Sequence, residues 1–185
     1  MNFIDFAKTV GKLKKTVRTG WVRSGKVKDP ESVADHVMRL TVLALVAGDE
    51  LKVDTRKLVD MAIVHDLAES VVGDMVAEQA DREYRDIKKR KFKLEKEAIN
   101  NLFQGMKDRE RLMGLWEEYE KQESEEARVL KQLDKFEMAL QALEYEEVTD
   151  PKNLDEFWVN ARKHVKHPVI RDWLDRIELE RKRDG

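Results

Sequence analysis

The stretch MAIVHDLAESVVGD, residues 61–74, sets a histidine and an aspartate side by side, with a glutamate three positions after the aspartate. His65 follows Leu58, Met61 and Ala62 at spacings of seven, four and three, which puts it on the apolar face of a helix. His36 is placed in the same way, its stripe continued by Leu40, Leu43 and Ala47. Asp134, within VLKQLDKFEMAL, has Leu130 and Met138 four residues to either side. Turning imidazoles and carboxylates toward a core costs on the order of several kcal/mol unless each is paired or bound. Two solutions are open. Either every group has its own hydrogen-bonding partner, or His36, His65, Asp66 and Asp134 converge on one divalent cation that answers all of them. Mixed imidazole and carboxylate ligation suits Mn²⁺, Fe²⁺, Co²⁺, Ni²⁺ or Zn²⁺ better than Ca²⁺ or Mg²⁺. Glu69 lies one helical turn beyond Asp66 and projects to the same side, where a carboxylate can orient a water or take its proton.

Helices must carry these residues. The apolar spacing predicts them over 3–14, from Ser32 to about 50, over 55–70, 78–104 and 107–122, and from Ser124 to about 148. Two shorter ones follow Pro151, at 153–165 and 168–182. Ser32 and Asp35 form a capping-box variant at the start of the His36 helix. Residues 16–31, with Gly20, Gly25 and Pro30, are expected to be loop. No alternating pattern of useful length appears, so the expected fold is all-α. It forms a single domain over 1–185, with a core at about 10–148 and a helical extension at about 151–183.

Bulk properties narrow the function. Charged residues make up 40% of the chain yet leave a net charge of only −2, and no basic block stands out, which argues against a nucleic-acid polymer as partner. Cysteine is absent, which removes disulfides, thiolate metal sites and cysteine nucleophiles together. The N-terminal MNFIDFAKTVGKLKK lacks the apolar centre of a signal peptide, and no apolar run nears the ~20 residues that span a bilayer. A cytoplasmic protein with no membrane partner is expected. In DREYRDIKKRKFKLEKE the acids balance the bases, and Ile87, Leu94 and Ala98 form a stripe suited to packing or to a dimer interface. His164 and His167, in KHVKHP, read as surface or cap residues outside any site.

RTGW, PESVADH, HDLAESVVGD and LKQLDK occur in that order, and the chain over roughly residues 10–145 resembles the HD-domain metallohydrolases. More narrowly, it resembles their 5'-deoxynucleotidase branch, the bacterial YfbR-like enzymes and their eukaryotic HD-domain relatives. The resemblance implies a homodimeric phosphohydrolase that removes phosphate from deoxynucleoside 5'-monophosphates using one divalent transition metal per chain. It makes His36, His65, Asp66 and Asp134 the ligands and Glu69 the catalytic acidic residue. Asp74 matches a second acidic residue at the nucleotide, in a catalytic or substrate-binding role, its alternative being a helix cap. Trp21 matches a tryptophan near the sugar that excludes a 2'-hydroxyl by size, its alternative being a core aromatic. The bacterial enzymes carry an arginine directly before that tryptophan. Gly20 stands there in this chain, so the phosphate-binding role falls to Arg18, with Arg23 as the competitor. Lys131 and Lys135, beside Asp134, either add positive potential or face solvent. Two further functions fit the same residues: an HD phosphohydrolase of dNTPs, cyclic nucleotides or another phosphorylated metabolite, and a non-catalytic nucleotide-binding scaffold.

Overall fold

Helices and short 3₁₀ turns make up the computed structural model, which describes residues 1–76 and 84–181. Among the described residues no strand forms, only an isolated antiparallel bridge between Val17 and Ser32. The expected helix start at 78 and end at 182 lie outside the described residues, as does the side chain of Tyr84.

Helix α1 spans Phe3–Val10 and tightens into a 3₁₀ turn at Gly11–Lys14, where Leu13 enters the core. Helix α2, Thr19–Arg23, occupies part of what the sequence predicts as loop. Helices α3, Val33–Ala47, and α4, Thr55–Val64, pack on each other as a hairpin. The capping box forms: the Ser32 hydroxyl accepts from the Asp35 amide at 3.2 Å while Asp35 accepts from the Ser32 amide at 2.9 Å. Gly48 ends α3 against Thr55, so closely that a Cβ there would collide with the threonine side chain. The hairpin depends on that missing atom.

After α4 come α5, Glu69–Val72, α6, Tyr84–Leu102, and α7, Arg109–Lys121. Helix α8, Glu125–Tyr145, is the central rod and packs against α3, α4 and α7. Helices α9, Asp155–His164, and α10, Pro168–Arg181, also lean on α8. Their Trp158, Ile170 and Leu174 belong to the same apolar core as Leu40, Leu58 and Leu130. Arg181 latches α10 in place, donating to Glu146 at 2.6 Å with its guanidinium over the Trp158 ring. The Ala98 end of the α6 stripe is likewise spent on this core.

Two departures from the sequence expectation matter for the site. The predicted helix over 55–70 breaks at His65, and residues 65–68 form a turn before α5 begins. In this turn backbone bonds close three residues back, from Leu67 to Val64 and from Glu69 to Asp66. Adjacent residues on a regular helix face about 100° apart, so an unbroken helix would separate His65 from Asp66. The turn instead leaves Asp66 Oδ2 3.1 Å from His65 Nε2. Gly73 then ends α5 with φ of 76°, a left-handed conformation that favours glycine. That bend delivers Asp74 to α2.

The second departure is α2 itself. Its first amide, on Thr19, donates to Asp74 Oδ2 at 2.6 Å, and the Thr19 hydroxyl donates to the Asp74 carbonyl at 2.9 Å. The segment is also stitched to the start of α3, the Arg18 amide donating to the Glu31 carbonyl at 3.1 Å. Glycines at 20 and 25 disguise a helix whose first turn is satisfied from elsewhere in the chain.

Candidate metal centre

His36 projects from the first turns of α3 and is fully buried. Its Nδ1 lies 2.6 Å from Glu137 Oε2, while its Nε2 lies 3.4 Å from Asp134 Oδ1 and 3.8 Å from Asp66 Oδ2. His65, at the end of α4, turns its Nδ1 to the Ala62 carbonyl at 2.7 Å. Carboxylate and carbonyl oxygens only accept, so each Nδ1 carries the proton and each Nε2 the lone pair. Both Nε2 atoms are buried without a hydrogen-bond donor. They lie with an Asp66 oxygen inside a cluster whose atoms are all within 4.8 Å of one another. Asp134, from α8, closes the side next to His36.

Acceptors therefore face acceptors at the centre of the cluster, while the positive charges of Arg18, Lys131 and Lys135 stand around it. Both carboxylates are ionised. Burial pushes Asp66 up, but His65, His36 and Arg18 outweigh it and hold the carboxyl far below the usual range. Asp134 is likewise held well below its ordinary value against the effect of burial by Lys135, Lys131 and His36. The two lysines sit 3.2 and 3.7 Å from its Oδ2. Burial lowers the His65 imidazole, yet Asp66 more than compensates and raises it. A proton is thus the smallest cation the cluster attracts. Paired imidazole and carboxylate donors, pre-aimed and short of a cation, fit a borderline divalent metal.

Glu69 opens α5 beside this cluster and is buried, with Oε2 lacking any hydrogen-bond partner. Burial first, then repulsion from Asp66 and Asp74, lifts its carboxyl well above the ordinary value, with Lys91 and Arg18 offsetting part of the rise. Lys91 reaches in from α6, 3.6 Å from Glu69 Oε1 and 3.3 Å from Glu95 Oε1. Tyr119, from α7, packs T-shaped on the His65 ring with the ring centres 5.1 Å apart and accepts from Lys131 at 3.0 Å.

Arg18 stands at the N-cap of α2 with Nη1 3.6 Å from Asp66 Oδ2 and Nε 4.0 Å from Glu31 Oε1. Burial lowers its pKa, but four carboxylates (Asp66, Asp134, Glu31 and Asp74) raise it further, so it stays charged. Arg23 lies exposed at the other end of α2. Of the two competitors, the fold brings Arg18 to the cluster. Asp74 is at the rim as the cap of α2.

Trp21 is packed away from solvent. Its indole is 1% exposed, stacked on Phe157 at 4.2 Å and set edge-on to Tyr145 at 5.2 Å, with Nε1 donating to Glu31 at 2.9 Å. Of the two readings of Trp21, a wall for the sugar or a core aromatic, its packing is that of the second: α2 turns the ring into the core, where Phe157 stacks on it and Tyr145 meets it edge-on. His164 is exposed, and neither it nor His167 enters a metal-capable cluster among the described residues.

Glu137 and Lys91 are absent from the sequence expectation. Glu137 was within reach, since it follows Asp134 by three on the inward face of α8. Lys91 was not, because only the packing of α6 on α5 gives it a partner in Glu69.

A helical bundle that gathers a histidine, a His-Asp pair and a distant aspartate is the arrangement of an HD domain. The chain belongs to the HD-domain family, whose pattern matches residues 10–177. It is 42% identical to 5'-deoxynucleotidase HDDC2 of Bos taurus over 183 residues, 97% of this chain and 86% of that protein. It is 33% identical to 5'-deoxynucleotidase hdd1 of Schizosaccharomyces pombe over 189 residues, covering 98% and 91%. Among solved structures, a protein from Pyrococcus horikoshii OT3 superposes with a TM-score of 0.73 at 34% identity, over 95% of each chain.

Proposed function

We propose that this protein is a metal-dependent 5'-nucleotidase that removes phosphate from deoxynucleoside 5'-monophosphates. The observation that carries the proposal is the pair of buried, donorless Nε2 atoms turned toward two ionised carboxylates, with the unpartnered Glu69 Oε2 alongside. The substrate class comes from the relatives named above, which the chain matches almost end to end.

In this assignment His36, His65, Asp66 and Asp134 hold one Mn²⁺, Fe²⁺, Co²⁺, Ni²⁺ or Zn²⁺. When bound, the cation supplies a lowered pKa to the attacking water and withdraws charge from phosphorus. Arg18 offers its planar fork of N–H donors to the phosphate oxygens. Glu69 Oε2 takes a proton from the water as the new oxygen–phosphorus bond forms. That proton is then available to the 5'-oxygen as its bond to phosphorus breaks. Asp74 fixes the end of α2 and so the approach of Arg18.

The same proposal takes the chain as a single domain, supported by the core that α9 and α10 share with α8. It takes the protein as a cytoplasmic homodimer. Support for the dimer is a row of exposed apolar side chains on the outer face of α3: Met38, Val42, Leu45 and Val46.

Phosphate release should be followed with Mn²⁺ or Co²⁺ over deoxy- and ribonucleoside mono-, di- and triphosphates and cyclic nucleotides. Release from deoxynucleoside monophosphates above all others is expected. Activity confined to triphosphates or cyclic nucleotides overturns the substrate, and binding of nucleotide without release overturns the enzyme.

A further inference from the structure

Glu137 is a carboxylate with no exposure at all, one helical turn beyond Asp134 on α8. Burying a carboxylate is expensive unless several donors meet it. Here two do, from opposite sides. Oε2 receives the His36 Nδ1 proton at 2.6 Å, and Oε1 receives Arg39 Nε at 2.8 Å. Arg39 is itself fastened to the same face of α8. Its Nη1 donates to both Glu144 oxygens at 2.8 and 3.0 Å, and its Nη2 donates to Gln141 at 2.5 Å. A planar guanidinium with every edge occupied has one orientation, so the Glu137 carboxylate has one as well.

The two imidazoles are held unequally. His65 Nδ1 rests on a neutral backbone carbonyl, whereas His36 Nδ1 rests on a full negative charge. A carboxylate behind a ligand imidazole fixes its tautomer and raises the basicity of the far nitrogen. Arg39 is partly exposed, so this chain of contacts runs from solvent to the centre: Glu144, Arg39, Glu137, His36.

We propose that Glu137, clamped by Arg39, is a positioning residue of the metal centre. It locks His36 in the Nδ1–H tautomer, aims Nε2 at Asp134 and Asp66, and makes His36 the stronger of the two imidazole ligands. This rests on the metal assignment made above and adds to it a residue that touches neither metal nor substrate.

The test is Co²⁺ titration of the full chain, stripped with chelator, by calorimetry and visible absorption, for wild type, Glu137→Leu, Glu137→Gln and Arg39→Met. Histidine ¹⁵N spectra of the metal-free proteins accompany it. Glu137→Leu is expected to weaken Co²⁺ binding about 10- to 100-fold and to let His36 populate both tautomers. His65, held by Ala62, keeps its tautomer and serves as the internal control. Glu137→Gln still offers an acceptor, so it restores the His36 tautomer but only part of the affinity. Arg39→Met weakens Co²⁺ less, in the same direction. A purely structural link between α3 and α8 would lower the melting temperature without moving the His36 tautomer. Co²⁺ affinity within twofold of wild type in Glu137→Leu overturns the proposal. Should that variant not fold, unchanged affinity in both Glu137→Gln and Arg39→Met overturns it equally. A wild type that takes up no Co²⁺ removes the metal assignment and this inference with it.

Discussion

Glu69 differs physically from Asp66 and Asp134, although all three are buried near one another. At the two aspartates neighbouring positive charge outweighs burial and keeps them ionised, whereas at Glu69 burial, Asp66 and Asp74 outweigh Lys91 and Arg18. A carboxyl whose protonated form is favoured is thereby set beside the groups proposed to hold a cation, the separation of roles that acid–base chemistry on water requires. Replacing Glu69 by alanine should lower kcat by about 10²- to 10⁴-fold, while Co²⁺ and nucleotide binding, followed by calorimetry, persist. An unchanged rate would take Glu69 out of the mechanism. Glu95 carries a related cost without a place in the chemistry. Burial, together with Glu120 from α7 and the more distant Asp66, lifts it to about 7 against the pull of Lys91. The folded protein therefore binds a proton that the unfolded chain has released, between the unfolded value near 4.5 and about 7. The stability this contributes is complete below the lower value and lost as pH rises through the upper one. At about 1.4 kcal/mol per pKa unit, the swing is on the order of 3 kcal/mol. In urea unfolding of the metal-free protein, Glu95→Gln should match wild type near pH 4 and exceed it at pH 8. Equal stability at both values would refute the assignment.

At the scale of elements, α2 is a helix whose beginning is supplied by Asp74, 55 residues away. An amide bonded to a capping carboxylate contributes about 1 kcal/mol, and Arg18 stands at that same helix end. Asp74→Ala should cost about that much stability and raise KM for a nucleoside monophosphate more than it lowers kcat, because the arginine loses its footing. A fall confined to kcat, with KM unchanged, would instead place Asp74 at the reacting atoms. This long-range cap also explains what could not be read locally. Helices α3 and α8 announce themselves, through the Ser32–Asp35 box and the inward stripe around Leu130 and Leu133, because their signals lie inside their own sequences. The glycines flanking Trp21 read as loop, since the groups that satisfy α2 come from Asp74 and Glu31. The break at His65 is equally silent: apolar spacing runs on through Leu67 and Ala68, and no glycine or proline marks the turn. At the break His65 Nδ1 bonds locally to the Ala62 carbonyl, while Asp66 turns to His36 of α3 and to Arg18 at the start of α2. Those last two partners are supplied only once the other elements are in place.

Across the whole molecule, apolar surface is distributed unevenly. The inner face of α3 packs His36, Leu40 and Ala44 into the core, yet its outer face leaves Leu45 and Val46 more than half exposed, at 61% and 76%. Contiguous apolar side chains of this kind mark an interface. If this face forms the proposed dimer, wild type should run as a dimer in light scattering and the double variant Leu45→Glu, Val46→Glu as a monomer. A monomeric wild type removes the dimer, and a persistent dimer in the variant moves the interface elsewhere. The candidate metal centre acts on the same scale, because its proposed ligands come from α3, from the turn after α4 and from α8, elements that pack on one another through the core. A cation that binds this arrangement has no comparable site in the unfolded chain, where the ligands scatter. Binding to the folded state alone stabilises it by RT ln(1 + [L]/Kd), about 2.7 kcal/mol at one hundred times Kd. For a chain of this length each kcal/mol moves the midpoint by about 2–4 °C. Saturating Co²⁺ or Mn²⁺ should therefore raise the melting temperature of chelator-treated protein by about 5–10 °C, and His36→Ala should abolish most of that rise. If neither ion shifts wild type, the acceptors gathered around His36 and His65 are holding protons rather than a metal, and the hydrolase chemistry has no electrophile to draw on.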